Sequence, residues 1–361
     1  MSRSRDFGAA ASSLAAPASS NNGYSIAVDT TQANGLNYAG NQAAGKNVIL
    51  NGAFDLNQRN AGSVTSGYIA DRWSVLSYAG TATWQRVALA PGSFANQVAN
   101  YAIRITSTSS ANDLAILTAI EDVTTFAGQQ ATISFWARLS SGTSNLDLIQ
   151  IGQNFGTGGT STYYTYVDST NQPYSTAWTK LKYTVTMPSV NGTTIGANNA
   201  ITIRIDPTTT LANGVWFEIA EIQFEAGPTA TRFTRAGGSI TNETLLCQRH
   251  YYRASSEVSY GLISTGKGYN TNIINATIPF PVQMRAIPTI GSDYSALSTF
   301  QYEYGSASGT TPTSIALNPN ITNTRYGTID ITKASAFTAG AYYYIMGANN
   351  ANAYIGFSAD L

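Results

Sequence analysis

Charge is scarce in this chain. Only 11% of its 361 residues are Asp, Glu, Lys or Arg, against about 25% in ordinary globular domains. The two signs balance at 19 each, so no net field draws in nucleic acid or an anionic membrane. Cysteine occurs once, at Cys247, which excludes an internal disulfide and a cysteine-based zinc site. Histidine also occurs once, at His250, leaving no partner for a two-histidine metal motif. No long apolar run reads as a membrane span. Arg3 and Arg5 precede an alanine-rich stretch, but serine and aspartate interrupt it, so no signal-peptide shape forms. The expectation is a protein made in a cytoplasm and, if it acts outside, released by lysis.

What is abundant is aromatic and small polar. The chain carries 22 Tyr, 13 Phe and 5 Trp within 43% hydrophobic residues, enough to fill cores and to argue against disorder. Solubility then falls to Ser, Thr, Asn, Gln and Gly. Residues 1–46 are different: Ala9 to Asn22 has almost nothing to bury, and the anchors are Phe7, Leu14, Tyr24, Ile26, Val28, Leu36 and Tyr38. Such a segment reads as an extended arm laid on a partner, or as a free tail.

From Asn47 onward strands alternate with turns. Val48–Leu50 reads as a first strand. Tyr101, Ile103 and Ile105 alternate with Ala102 and Arg104, as Ile133, Phe135 and Ala137 do with Ser134 and Trp136. Leu181 to Val185 and Ile201 to Ile205 repeat the pattern. Period two with one apolar face is the mark of antiparallel strands packed on one side. Turn signals stand between them at Pro91-Gly92, Gly156 to Gly159, Asn191-Gly192 and Asn213-Gly214. Between Val215 and Phe224 the apolar phase switches, as a β-bulge requires. A short helix follows, with Thr241 as its expected cap, Glu243 in its first turn, and Leu246/His250 and Cys247/Tyr251 stacked at i,i+4. Strands then resume at 258–263, 273–280, 313–317, 328–331, 341–346 and 354–357. The fold class expected is all-β: an extended arm (1–46), a first β-sandwich (47–237), a short helical connector (238–253) and a second, smaller C-terminal β-sandwich (254–361).

Several runs resemble phage and prophage tail proteins. Asn47 to Asp55 with Gln58-Arg59, then Tyr68 to Trp73, resemble the opening blocks of that family's first domain; Trp216 to Gly227 resembles its last strand. Ala230 to Phe233, Leu245 to Tyr252, Phe280 to Pro288 and the closing Phe357 to Leu361 extend the likeness over residues 47–361. The opening block also resembles jelly-roll carbohydrate-binding modules. The resemblance implies a jelly roll for the first domain, a virion location and attachment to tail or baseplate proteins through residues 1–46. It implies a homotrimer as well, although the chain has no heptad pattern. It does not by itself establish sugar binding. The related modules hold a structural calcium between the opening block and the final strand, and Asp55 and Glu221 occupy the corresponding places. Asp55 reads first as a turn residue that ends a strand. No other cofactor is implied.

No catalytic arrangement stands out. His250 and Cys247 read as packed helix residues, and Gly156 to Gly159 lacks the Lys-Ser/Thr of a phosphate loop. For a glycan, chemistry asks for rings that stack on pyranose C–H faces beside groups that bind hydroxyls. The candidates are Trp136 with Arg138, then Tyr163, Tyr164 and Tyr166, and in the second domain Tyr342, Tyr343 and Tyr344. In consecutive tyrosines at least one must face away from its own core, towards a glycan or a sister subunit. The function expected is a non-enzymatic phage tail fibre subunit that binds host surface polysaccharide, with residues 254–361 as candidate tip. A capsid decoration or head fibre protein is the alternative reading. A carbohydrate hydrolase or lyase is a third, and would need two carboxylates in one groove about 5–10 Å apart.

Overall fold

A computed structural model describes residues 24–28, 36–40, 46–109, 112–167, 172–207, 210–305, 307–334 and 336–361. Within the N-terminal segment, β1 (Tyr24–Val28) pairs antiparallel with β2 (Leu36–Gly40), Tyr24 opposite Gly40. Phe7 and Leu14, expected as anchors, lie outside the described residues.

The first domain is a jelly-roll sandwich of antiparallel strands. One sheet holds β3 (Gly67–Ala70), β4 (Trp73–Ala79), β7 (Asn112–Glu121), β9 (Leu148–Asn154), β10 (Tyr163–Val167) and β12 (Ala200–Asp206), in the order β10-β9-β12-β7-β4-β3. The other holds β5 (Ala82–Ala88), β6 (Tyr101–Ser107), β8 (Gln130–Leu139), β11 (Thr179–Thr186) and β13 (Trp216–Ala226), ordered β11-β8-β13-β6-β5. The inward residues read from alternation, Ile103, Ile133, Phe135, Leu181, Tyr183 and Ile203, join Trp73, Trp84 and Phe217 in one core. Each large apolar side chain buried there contributes about 1.5–3 kcal/mol. The bulge is present: the β13–β8 register shifts between Ala220 and Gln223, and Glu221 takes φ 53°.

Val48–Leu50 is not a strand. It is a turn-rich segment whose Val48 N–H donates to Phe224 O at 3.1 Å. Its asparagines explain the departure. Asn47 Oδ1 accepts from Ile49 N and Phe224 N, and Asn51 binds Leu56 and the Asp71 carbonyl. Side chains that satisfy backbone groups locally replace a ladder. Gly52 is fixed by space, since a Cβ there would collide with Ile222 O.

The helix α1 spans Ile240–Gln248. Its cap is Ser239, whose hydroxyl accepts from Asn242 N at 3.2 Å, and not Thr241. The helix stops before His250, and Tyr251 already belongs to β14 (Tyr251–Ser255). The expected i,i+4 pairs therefore do not form within the helix, and the tyrosines placed in the connector are strand residues. Glu243 is buried, accepting from Asn51 N and Arg235.

The second domain is a sandwich of unequal layers. A seven-stranded antiparallel sheet runs β18-β17-β21-β15-β16-β20-β19. Its strands are β15 (Leu262–Gly268), β16 (Ile273–Pro279), β17 (Phe300–Tyr304), β18 (Ala307–Thr310), β19 (Ser314–Leu317), β20 (Tyr326–Thr332) and β21 (Tyr342–Gly347). A two-stranded ribbon, β14 with β22 (Tyr354–Ser358), adds Ala254, Ile355 and Phe357 to the core with Ile274, Ile329 and Ile345. The strand expected from Val258 begins only at Leu262, because 257–261 turns, with Glu257 and Tyr260 at positive φ. Among the described residues no helix is long and apolar enough to cross a membrane.

The two sandwiches meet through charge. Asp360 accepts from Arg59 at 2.5 Å and Arg72 at 2.6 Å. The Arg59 guanidinium lies between the rings of Tyr68 and Tyr251, 3.9 and 3.7 Å from their centroids. Gln58 Nε2 donates to Asp71 and to Tyr251 O. Arg285 donates to Ala359 O and to Asn198 Oδ1. Gln58-Arg59, Asp71-Arg72, Tyr251 and Asp360, drawn from four separated sequence blocks, thus converge on one seam.

This seam sets a pH dependence. Burial alone would raise the Asp360 pKa, but Arg59 and Arg72 outweigh it and hold it below its ordinary value. Asp71 and Glu243 are raised by burial, against hydrogen bonds from Gln58 and from Arg235 and Asn51 respectively. On acidification the raised groups take up protons in the folded state first, so stability rises as the pH falls through their values. The Asp360 contribution is full above about pH 4, the unfolded value, and is lost as the pH falls through its lower folded value. His250, pushed down to about 3 by burial, acts against the fold from about pH 6.5 downward, since only its unfolded form takes up the proton. Below about pH 4 the Asp360 loss adds to it, and melting temperature is expected to drop steeply there. A melting temperature that stays level or rises from about pH 4 to about pH 3 in calorimetric scans would remove this account.

Candidate functional site

The tyrosines of the first domain sit on its sheet edge. Among the described residues strand β10 pairs only with β9, Tyr164 opposite Gly152 and Tyr166 opposite Gln150. Gly152 leaves the space that Tyr164 occupies, since a Cβ there would lie 3.2 Å from the ring and against Thr202 Oγ1. Tyr164 and Tyr166 are 55% and 64% exposed. The β12 partners of Gly152 and Gln150 are Thr202 and Arg204, which brings a hydroxyl and a guanidinium beside the rings. Arg204 pairs with Asp206 and Asp113 and rests over the exposed Tyr78 ring at 4.6 Å. Tyr163 points the other way, edge-on to Phe155 at 5.0 Å.

In the second domain Tyr342 and Tyr344 project from β21, 73% and 55% exposed. Tyr342 lies opposite Lys267; Tyr344 lies between Thr265 and Glu303 on the flanking strands. Beyond Lys267 the row continues to Asn275 and Asp330, which are hydrogen-bonded at 2.5 Å. Tyr343 is a correction to the sequence reading. It is 4% exposed, packed edge-on to Tyr302 and Phe337, with its hydroxyl accepting from Thr338 N. Alternation makes it a core residue, and its ring is closed to a ligand.

Trp136 and Arg138 share the outer face of the five-stranded sheet and are linked through Trp178, which meets Phe94 edge-on at 5.2 Å. Trp136 stacks on Phe94 at 4.8 Å and lines a groove of about 320 Å³ between the loops at 95–96 and 230–233. Lys180, Lys182, Glu221, Thr231 and Arg232 line it as well. Arg138 belongs to a ladder across β8, β13 and β6. Its Nε donates to Glu218 at 2.7 Å, and Arg104 approaches the other carboxylate oxygen at 2.5 Å. Arg104 lies over Trp216, and Arg138 over Trp178. Lysines 180 and 182 escaped the sequence reading. Their signal was their place on the polar phase of a strand beside Trp136.

The carboxylates suggested for calcium are engaged by protein groups. Asp55 pairs with Arg235 and accepts from Asn100 N at 3.0 Å. Glu221, at the bulge, accepts from Ala99 N at 3.0 Å and from Val98 N; burial raises its pKa against those bonds. A divalent ion on Asp55 would have to displace the Arg235 guanidinium. No cluster of three or more His, Cys, Asp or Glu with metal-binding geometry occurs among the described residues. His250, pushed down to about 3 mainly by burial, and Cys247, raised by burial, are packed and not poised for chemistry.

No family model matches this chain. No curated protein matches it either. Among solved structures it is similar to the xylan-binding CBM22-1 domain of Paenibacillus barcinonensis Xyn10C, at 13% identity and TM-score 0.32, over 52% of this chain and 98% of that one. It is similar to the enzymatically active domain of tailspike protein 4 of bacteriophage CBA120, at 11% identity and TM-score 0.34, over 50% of this chain and 22% of that one. A Stig cyclase of Fischerella sp. TAU matches at 9% identity and TM-score 0.35, over 51% and 98%. These likenesses assign neither a ligand nor a reaction to this chain.

Proposed function

We propose that this chain is a non-enzymatic structural subunit of a phage particle, a tail fibre protein that binds host surface polysaccharide. Residues 1–46 would attach it to other virion proteins, and self-association as a trimer would present several copies at once. The observation that carries the binding role is the pair Tyr342 and Tyr344, exposed on a sheet face beside Thr265, Lys267 and Glu303. Stacking rings next to hydroxyl, ammonium and carboxylate groups are what a pyranose requires. Binding without hydrolysis is favoured by the groove on the first domain, where Glu221 is the one carboxylate among the lining residues.

The test is a titration of labelled full-length protein against a panel of bacterial strains and the surface polysaccharide extracted from each. Saturable binding is expected, weakened about 10- to 100-fold in a Tyr342→Ala/Tyr344→Ala variant, since two lost stacking contacts amount to about 1–3 kcal/mol. Equal binding by a folded variant would remove the tyrosines from the site. Absence of binding across the panel would refute the adhesion role.

A further inference from the structure

The outer face of the five-stranded sheet is electrostatically one-sided in a chain whose net charge is zero. Its negative groups are Glu218, Glu221 and Glu225, and all three are buried. Each is saturated. Glu218 is held by Arg104 and Arg138, Glu221 by the amides of Val98 and Ala99, and Glu225 by Thr231, Gln223 and Lys46. Glu218 and Glu225 are thereby neutralised, and Glu221 is the one carboxylate among the groove's lining residues.

The positive groups are not consumed in the same way. Lys182 and Arg232 are exposed, and Lys180 is half-buried with its ammonium donating to Thr231 O at 3.0 Å. All three line the groove with Asn96 and Trp136. Register places them closely: Lys180 is opposite Trp136, and Lys182 is opposite Ser134. On the other side of Trp136 stands Ala220, whose methyl leaves the floor low. One face of the indole is taken by Phe94, so its remaining surface is what the groove offers.

We propose that this groove binds an anionic sugar residue of a polysaccharide, its ring against Trp136 and its acidic group between Lys180, Lys182 and Arg232. The inference rests on the glycan-binding reading above and adds a second site with a charge requirement. Aromatic surface alone would take a neutral pyranose. Three cations against one lining carboxylate, Glu221, leave the groove net positive and favour an anion, and a concave site is screened less fully than an open surface. Asn96 and Thr231 supply neutral groups for the hydroxyls.

The experiment uses the full chain and matched polymers. Polygalacturonate and alginate are compared with their carboxyl-reduced forms, which keep the linkages and lose the charge; dextran sulfate beside dextran separates a sulfate ester from a carboxylate. At least one acidic polymer is expected to bind 10-fold or more tighter than its neutral partner. Lys180→Gln/Lys182→Gln should erase that preference while leaving neutral-polymer binding unchanged. Lys182→Glu, at an exposed position, guards against a folding failure of the double variant. Arg325→Gln, an exposed cation of the second domain, should change nothing. Equal binding of acidic and neutral forms would overturn the inference and leave the glycan reading standing. Equal loss in Arg325→Gln would show bulk charge only and also overturn it. No binding of any polymer overturns it as well, and the tyrosine titration then decides the broader reading independently.

Discussion

Replacing Asp360 by alanine is expected to destabilise the protein by about 3–5 kcal/mol, the usual cost of removing one member of a buried ion pair. The carboxylate is the shared acceptor of Arg59 and Arg72, which are themselves nearly enclosed. Without it Arg72 loses its carboxylate partner and Arg59 is left with only Asp71, outside ion-pair distance. Arg59 has Tyr68 and Tyr251 on its faces, but rings do not replace a carboxylate. The melting temperature should fall by on the order of 10 °C, and the single transition should split as the sandwiches melt separately. Asp360→Asn, which keeps the shape, should fall between. A melt for Asp360→Ala within a degree of wild type would mean the seam is held by backbone contacts alone.

The second large effect is expected at Glu218. Alanine there strands Arg104 and Arg138, which face each other across β13. A fully buried pair would cost about 3–5 kcal/mol. The two arginine side chains keep 28% and 30% of their surface exposed, so solvent screens part of the repulsion and the low end is expected. Glu218→Gln should lose less stability, since its amide keeps one acceptor for the arginines while its NH2 opposes the other, and should strengthen binding to polygalacturonate, since it deletes a negative charge. Denaturant unfolding gives the first quantity and the polymer titration the second. Stability unchanged in Glu218→Ala would mean the ladder is a surface feature without structural weight.

The sandwiches were legible because alternation reports burial directly: Ile201 to Ile205 and Ile133 to Ala137 face the core as read. The bulge was legible for the same reason, since it breaks a phase. Three places were not. At Val48–Leu50, asparagine side chains satisfy the backbone and remove the strand that the apolar residues suggest. At Tyr251, helical spacing and strand propensity compete, and pairing with Ser358, 107 residues away, decides for β14. At the seam, Arg59, Arg72 and Asp360 meet across sequence distances that no local pattern encodes. There was still a hint, for in a chain this poor in charge each ionised side chain has few neutralising neighbours and tends to have a specific partner. Among the site residues, the exposure of Tyr342 and Tyr344 against Tyr343 follows from alternation once one phase is known. Which cations would surround Trp136 depended on strand order.

The seam also makes the molecule a ruler. The tyrosines on β10 and those on β21 belong to different sandwiches, yet arginine forks and backbone hydrogen bonds, not a slack tether, join the two bodies. Their separation is therefore built in. A polymer long enough to touch both surfaces would find the second at a high local concentration once the first is engaged, whereas a shorter fragment would meet one surface at a time. Selection by chain length would then follow from the way the two halves are riveted, without any contact that measures length.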